Sequence, residues 1–441
     1  MKTFTDVVVV GGGQAGVCAA LSVARAGKKV ILVQDRPVLG GNASSEGCVP
    51  SHGAEAMAHN RNCRDSGILE EIRLEYYQKK SPYSDSRQYW DLLLFEYCMK
   101  EEKLTLLLNT RVTSCYTEES TIKYIHAINI LTEDEHQISA RIFIDASGDG
   151  FLAKEAGASY RWGREAASEF GENIFGQNIE DKKTLGSTIY GWAIKRSYPV
   201  EFSPPSWAVT YDHCEDISHR PHTKEHLFPT ITASKDHQTL QFFWWLEWGG
   251  QLDVIKDSDL IYKRLLAELF GLWDHLKNSC TEATRNSLQN FELYQWSNFP
   301  LRRESRRVVG EYMINENDLF EAKLFHDRIA FGGWPLDDHP PEGISSMAPG
   351  CDQVFVTQPY SIPYRSVISK DIHNLYIAGG CMSATHSALS SIRVMNTLGI
   401  IGEAIGTAAA LCIEKKYYPR DVLMHDIQLL QQRIIDNDLY L

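Results

Sequence analysis

The chain has 441 residues and is 43% hydrophobic, which is enough for one large core and a smaller one, so two domains are expected. A formal net charge of −13 excludes a nucleic-acid partner, which needs clustered Lys and Arg to meet phosphates. Ten cysteines with no C-x-x-C pair fit the reduced thiols of a cytoplasmic protein, not a disulfide or zinc framework.

The first apolar run, Val7 to Val10, is short, lacks a cleavage site and runs straight into a glycine turn. It is therefore read as a buried strand and not a signal peptide. The turn carries G-x-G-x-x-G as Gly11, Gly13 and Gly16. Gly11 allows the tight bend, Gly13 lets backbone approach a pyrophosphate, and Gly16 lets the following helix pack closely on the strand. That helix begins at Gln14 and Ala15, is filled by Ala19, Ala20 and Ala24, and is closed by Gly27. Its first turn offers free N–H groups and a partial positive charge to phosphates. A second strand is expected over Lys29 to Gln34, which completes a strand, helix and strand unit for a dinucleotide. The ribose contact at the end of that strand falls to Gln34, with Asp35 and Arg36 next. Asp35 points to the opposite face of an extended strand unless the turn re-aims it.

Further on, a helical region is expected from about Asp65 to Lys103, strands over LTLLLNTRVTSCY and IKYIHAINI, and a strong apolar strand ending in IDASGDG. From Tyr160 to about His326 the texture changes to Trp, Tyr and charge, with strand-like TLQFFWWLEW and helix-like LIYKRLLAELFGLWDHL. Here His213, Cys214, His219, His222 and His226 cluster in a loop-like stretch whose spacing matches no ligand motif, so no metal is expected. The glycine-rich pattern then returns in IAFGGWPLDD, NLYIAGG and GIIGEAIGTAAAL. No segment approaches the length of a bilayer span. The expected architecture is α/β: a Rossmann-like domain built from both chain ends (1–159 and 327–441) with an inserted α+β substrate domain (160–326).

The loop PVLGGNASSE, with Gly40, Gly41, Asn42 and Ser45, can press backbone against a pyrophosphate and a flavin ring edge, which simple nicotinamide units do not need. Together with VVVVGGGQAG, ARIFIDASGDG, RRESRRVVGEY, IAFGGWPLDDHPPEGI and IPYRSVISKDIHNLYIAGGCMSATHSALSSIRVM, it resembles the FAD-dependent oxidoreductases of the glutathione-reductase-like superfamily. The chain is more closely similar to the bacterial FAD-dependent oxidoreductase family, itself distantly similar to fumarate reductase flavoproteins. The resemblance implies FAD as cofactor, held without a covalent bond. It implies cofactor contacts at Val112, Ala146, Ser147, Gly148, Gly379, Gly380 and Met395, although the acidic residue common beside the second glycine pair is missing. It does not extend to a redox disulfide, because the position that would pair with Cys48 is Ala43.

The reacting side of the flavin is assigned to His386 as proton carrier and Arg393 as anchor of a polar or anionic substrate, with Arg303, His339 and His52 as further candidates. Arg302, Arg303, Arg306 and Arg307 stand at the junction where the chain re-enters the first domain. The expected activity is hydride transfer between flavin and a small polar organic substrate, with carbohydrate-derived compounds among the candidates and electrons passed to an acceptor the sequence does not name. A structural or sensing flavin, or a flavin-dependent hydratase or isomerase, remains the alternative.

Overall fold

The computed structural model describes residues 2–54, 63–79, 88–223, 228–229 and 239–441. At its centre lies β1 (Lys2–Val10), whose Val7 to Val10 pair in parallel with β2 (Val30–Val33) on one side. On the other side β1 pairs in parallel with β6 (Glu135–Asp145). β3 (Leu104–Leu107) extends the sheet beyond β2, while β4 (Thr110–Glu118) and β5 (Thr121–Asn129) form an antiparallel arm on β6. The short strand Leu375–Ile377 returns from the far end of the chain to pair in parallel with the end of β6. The four valines of β1 are buried without alternation, as a parallel strand covered on both faces requires.

Helix α1 (Gln14–Arg25) is packed against the helix Met395–Lys415. The contact is backbone to backbone: a Cβ at Gly402 would overlap the Ala15 carbonyl, and one at Gly406 the Ala19 carbonyl. By length and apolar composition Met395–Lys415 could cross a membrane, contrary to the expectation that no segment would. It is almost wholly buried, however, because its glycine and alanine rows exist to meet α1.

The middle of the chain builds its own sheet, in which Gly191–Lys195 lies between Thr239–Gln241 and Phe291–Trp296, all antiparallel. The helix Ser258–Asp274 packs its Leu265, Leu269 and Trp273 into a second core with Phe243 and Trp245. TLQFFWWLEW is not one strand but two, Thr239–Gln241 and Glu247–Trp248, because Phe242, Phe243 and Trp245 turn inward together. The second core takes Ile344 from the closing part of the chain, while Val308, Ile314 and Leu319 already belong to the first. The middle segment also clasps the loop after β2: Gln295 Nε2 donates to the Ser45 carbonyl (2.9 Å), Ser297 Oγ to Gly47 (2.7 Å) and Trp192 Nε1 to Cys48 (3.1 Å).

Candidate active site

A cleft of about 560 Å³ opens at the carboxyl ends of β1, β2 and β6, where ligands sit in open parallel sheets. Its floor is bare backbone. Gly11 has φ +107° and its Cβ would strike the Ala146 carbonyl, so the first turn is closed to every other residue. A Cβ at Gly16 would overlap the Gly11 carbonyl, which is how α1 comes so close to the strand. Gly13 is different: it caps α1 in extended backbone, and a Cβ there meets nothing within 4 Å. Gly148 also faces open space, and Gly379 finds only the Ala15 Cβ at 3.9 Å. Gly40 donates to the Gly12 carbonyl (2.8 Å), bringing the G-G loop against the first turn. Three open glycines around a helix N-terminus make a cradle that side chains would fill, and its amides suit a diphosphate.

The other walls are Gly41, Asn42, Thr110, Val112, Ala146, Ser147, Gly380 and Met395. The Arg36 guanidinium, ion-paired with Glu46, lies 3.6 Å from the ring centre of Phe299, a wall residue from the middle segment that the sequence did not single out. Gln34 and Asp35 both line the cleft, yet in different ways. The Gln34 amide is spent on the protein: its oxygen accepts from Gly12 N–H (2.8 Å) and its nitrogen donates to Val38 (3.0 Å). β2 ends at Val33, and Asp35, in the bend that follows, is exposed at the cleft. Ser45, expected at the cofactor, instead turns away, bonding Asp91 through its N–H (2.9 Å) and hydroxyl (2.5 Å).

Two charged clusters lie behind the cleft. In the first, His386 Nδ1 meets Glu304 at 2.8 Å and Nε2 meets Asp338 at 3.1 Å. Arg164 grips Asp338 with two bonds (2.6 and 2.9 Å), and Arg307 holds Glu165 (2.9 Å) and Glu304 (3.2 Å). Burial pushes the imidazole of His386 down, but the Glu304 carboxylate beside it and the bonds to both acids carry it above its ordinary value. Asp338 is pushed up by burial and pulled well below the usual carboxylate range by His386 and Arg164. His386, Arg164 and Arg307 thus face three carboxylates, Glu304, Asp338 and Glu165.

The second cluster centres on His339. His339, buried, spans Glu247 (3.1 Å) and Asp337 (3.0 Å), and its pKa is raised against burial chiefly by the Glu247 carboxylate. Arg303 pairs with Glu247 and donates to the Trp244 carbonyl (3.1 Å). Arg393 reaches the Asp337 carbonyl (3.2 Å) and carboxylate (3.4 Å). Its pKa is lowered by burial and then by the charge of Arg303, so the two guanidinium groups feel each other. Both line the cleft, and the Nε of each is buried without a hydrogen-bond partner. Arg303 and Arg393 stand on the cleft wall with Glu304, and His339 lies between their partners Glu247 and Asp337. Tyr190, not singled out in the sequence, adds its buried phenol beside Arg303.

Of the five catalytic candidates, Arg303 and Arg393 thus line the cleft, whereas His386, His339 and His52 do not. His386 has both ring nitrogens hydrogen-bonded to carboxylates, while His339 is bonded to Asp337 through Nε2 and has Nδ1 3.1 Å from Glu247. His52 is exposed, its ring 5.8 Å from that of Trp334 and its carbonyl accepting from Asn396 N–H. Arg302 is tied to Asp149 (2.6 Å) and the Val254 carbonyl (2.8 Å), and Arg307 is wholly buried. Neither offers a free guanidinium to the cleft.

Sheet, glycine cradle and charged wall define a dinucleotide-binding α/β enzyme. Residues 6–434 match the family model described as FAD dependent oxidoreductase, so the chain belongs to that family and FAD is its cofactor. A 55-residue stretch is 47% identical to the soluble pyridine nucleotide transhydrogenase of Ectopseudomonas mendocina, covering 12% of this chain and 11% of that protein. The chain therefore spans about a tenth of that curated relative's length. Among solved structures, the myxobacterial chondrochloren halogenase CndH aligns at TM-score 0.46 and 11% identity, over 98% of this chain and 79% of that one. The p-nitrophenol 4-monooxygenase PnpA of Pseudomonas putida DLL-E4 aligns at TM-score 0.43 and 11% identity, over 99% and 89%.

Proposed function

We propose that the protein oxidises or reduces a small polar organic substrate bearing a carboxylate or similar anionic group, by hydride transfer, and exchanges the electrons with an external acceptor. Bound FAD supplies the two-electron chemistry. In this reading Gly13, Gly148, Gly379 and the start of α1 hold the diphosphate, and the exposed Asp35 carboxylate, in place of Gln34, takes the ribose hydroxyls. The observation that carries the substrate class is the pair Arg303 and Arg393, each lining the cleft with a buried, unpartnered Nε. A planar guanidinium fork matches a carboxylate. His339 acts through these arginines: its positive charge offsets Glu247 and Asp337, so that they do not neutralise the pair. The His386 cluster is a positioning device that fixes the start of the helix His386–Ile392, whose far end carries Arg393.

Carbohydrate-derived acids are the first class to test, because the middle segment behind the arginine pair is rich in tryptophan: Trp244 gives its carbonyl to Arg303 and sets its ring 5.8 Å from that of His339. The test is anaerobic loss of flavin absorbance with a panel of sugar acids, dicarboxylates and the matching neutral sugars. Carboxylates alone should bleach the flavin; bleaching by neutral sugars at equal rate would refute the reading.

A further inference from the structure

Away from the cleft, in the middle domain, Cys214, His222, His275 and Cys280 bring one ligand atom each to a single point, all within 4.8 Å of one another. We propose that these four residues form a closed Cys2His2 site for zinc.

The two edges that meet at Cys214 match those of a tetrahedron around one ion. Zinc bonds of about 2.3 Å to sulfur and 2.0–2.1 Å to nitrogen set tetrahedral edges of about 3.8 Å between sulfurs and 3.5 Å between sulfur and nitrogen. Cys214 Sγ lies 3.8 Å from Cys280 Sγ and 3.6 Å from His275 Nε2. The cysteines are not joined to each other. The histidines are oriented as ligands. His275 Nδ1 lies 2.9 Å from the Tyr211 carbonyl and His222 Nδ1 lies 2.7 Å from the Arg220 carbonyl. A carbonyl only accepts, so each Nδ1 carries the proton and each Nε2 keeps its lone pair, the outer-shell arrangement that fixes metal-binding imidazoles. Two thiolates would neutralise the ion, which suits a site with three of four ligands buried.

Local structure explains how the ligands meet. The helix Ser258–Asp274 ends in a wide turn, His275–Ser279, in which Cys280 N–H bonds the His275 carbonyl (2.7 Å), folding H-x4-C onto one side. Cys214 opens a short 3-10 turn, Cys214–Ile217, and His222 follows it. Reading 213–226 alone could not find the site, because half its ligands come from residues 61 and 66 positions away. Of the other histidines in that stretch, His219 bonds the Ile344 carbonyl (2.9 Å), His213 caps the short turn, and His226 lies outside the described residues. With four protein ligands there is no open coordination position, so the role is structural: pinning the 214–222 loop to the end of the long helix.

The test uses the full-length flavoprotein purified without chelator. Elemental analysis should give about one zinc per chain, lost in the Cys214→Ser/Cys280→Ser double variant while FAD remains bound. Protein produced with cobalt should show the visible bands of tetrahedral cobalt and a thiolate-to-cobalt charge-transfer band. Three results would overturn the proposal: no metal in the parent, metal kept by the double variant, or a Cys214–Cys280 disulfide in a peptide map. If the double variant does not fold, the cobalt spectrum decides, since absence of the sulfur band refutes cysteine ligation.

Discussion

Gly13 separates cofactor binding from folding more cleanly than any other position. Its backbone, φ −65° and ψ 174°, is ordinary extended geometry that any L residue adopts, and a Cβ would meet nothing within 4 Å. Gly13→Val therefore should cost the apoprotein only about 1 kcal/mol, the loss of a good N-cap residue on α1, and leave it folded. Its branched side chain stands in the cradle, between the first N–H groups of α1 and the diphosphate. Displacing the anion from two such groups forfeits two charge-assisted hydrogen bonds, about 1.5–3 kcal/mol each. Affinity for FAD should fall by roughly two to four powers of ten at 1.4 kcal/mol per tenfold. Titration of apoprotein with FAD, followed by flavin fluorescence, gives the affinity, and thermal melting of the same apoprotein gives the fold. Gly11→Ala and Gly16→Ala are the contrast, since both would drive a Cβ into backbone carbonyl oxygen and should unfold the protein. Parent affinity for FAD in Gly13→Val, or melting like that of Gly16→Ala, would refute a diphosphate cradle at Gly13.

Burial holds the Glu403 carboxyl up at about 8 even though its oxygen accepts from Ile68 N–H (2.7 Å). The folded state therefore binds an extra proton above pH 4.5, and stability from this group is lost as pH rises from about 5 through 8. Glu403→Gln, which keeps the acceptor, should leave stability at pH 5 unchanged and raise it by roughly 4 kcal/mol at pH 9 in denaturant titrations. His386→Ala should cost about 3–5 kcal/mol of stability, because it strips the counter-charge from buried Glu304 and Asp338. A parent-like melting point with slowed flavin reduction would instead make His386 a catalytic residue. Acid precipitation should release all flavin into the supernatant, since His52 turns its ring to Trp334 and does not line the cleft; colour in the pellet would show a covalent link.

The nucleotide unit was legible because its signals are local: an unalternated valine run, three glycines at fixed spacing and a small-residue helix. The G-G loop and the later glycine pairs were legible for the same reason. Side-chain direction was not. His386 and Arg393 sit in one stretch, but the helix rises 1.5 Å per residue, so they stand about 10 Å apart. One end of that helix lies in an ion cluster and the other at the cleft. Asp337 and Asp338 are neighbours on a strand and so face opposite ways, the first to Arg393 and His339, the second to His386 and Arg164. That alternation was readable, but apart from His339 the partners, Arg393, His386 and Arg164, lie more than 40 residues away and were not. Gln34 was read as the ribose contact because the strand was expected to run to it; β2 ends at Val33, and the Gln34 amide bonds Gly12 and Val38, partners a sequence does not reveal.

In the proposed function Arg393, beside Arg303, grips an anionic substrate group at the flavin cleft. The direct measurement is the substrate-concentration dependence of anaerobic flavin reduction in stopped flow, comparing the parent with Arg393→Lys and Arg393→Met, each at full FAD occupancy. Removing one partner of a buried charge-paired contact costs about 2–5 kcal/mol, so Arg393→Met should weaken apparent binding of the acid by a factor of thirty or more. Arg393→Lys should fall between, keeping charge but losing the fork. Reduction by dithionite should be unchanged in both. Parent-like saturation by the acid in Arg393→Met, with FAD still bound, would contradict the claim.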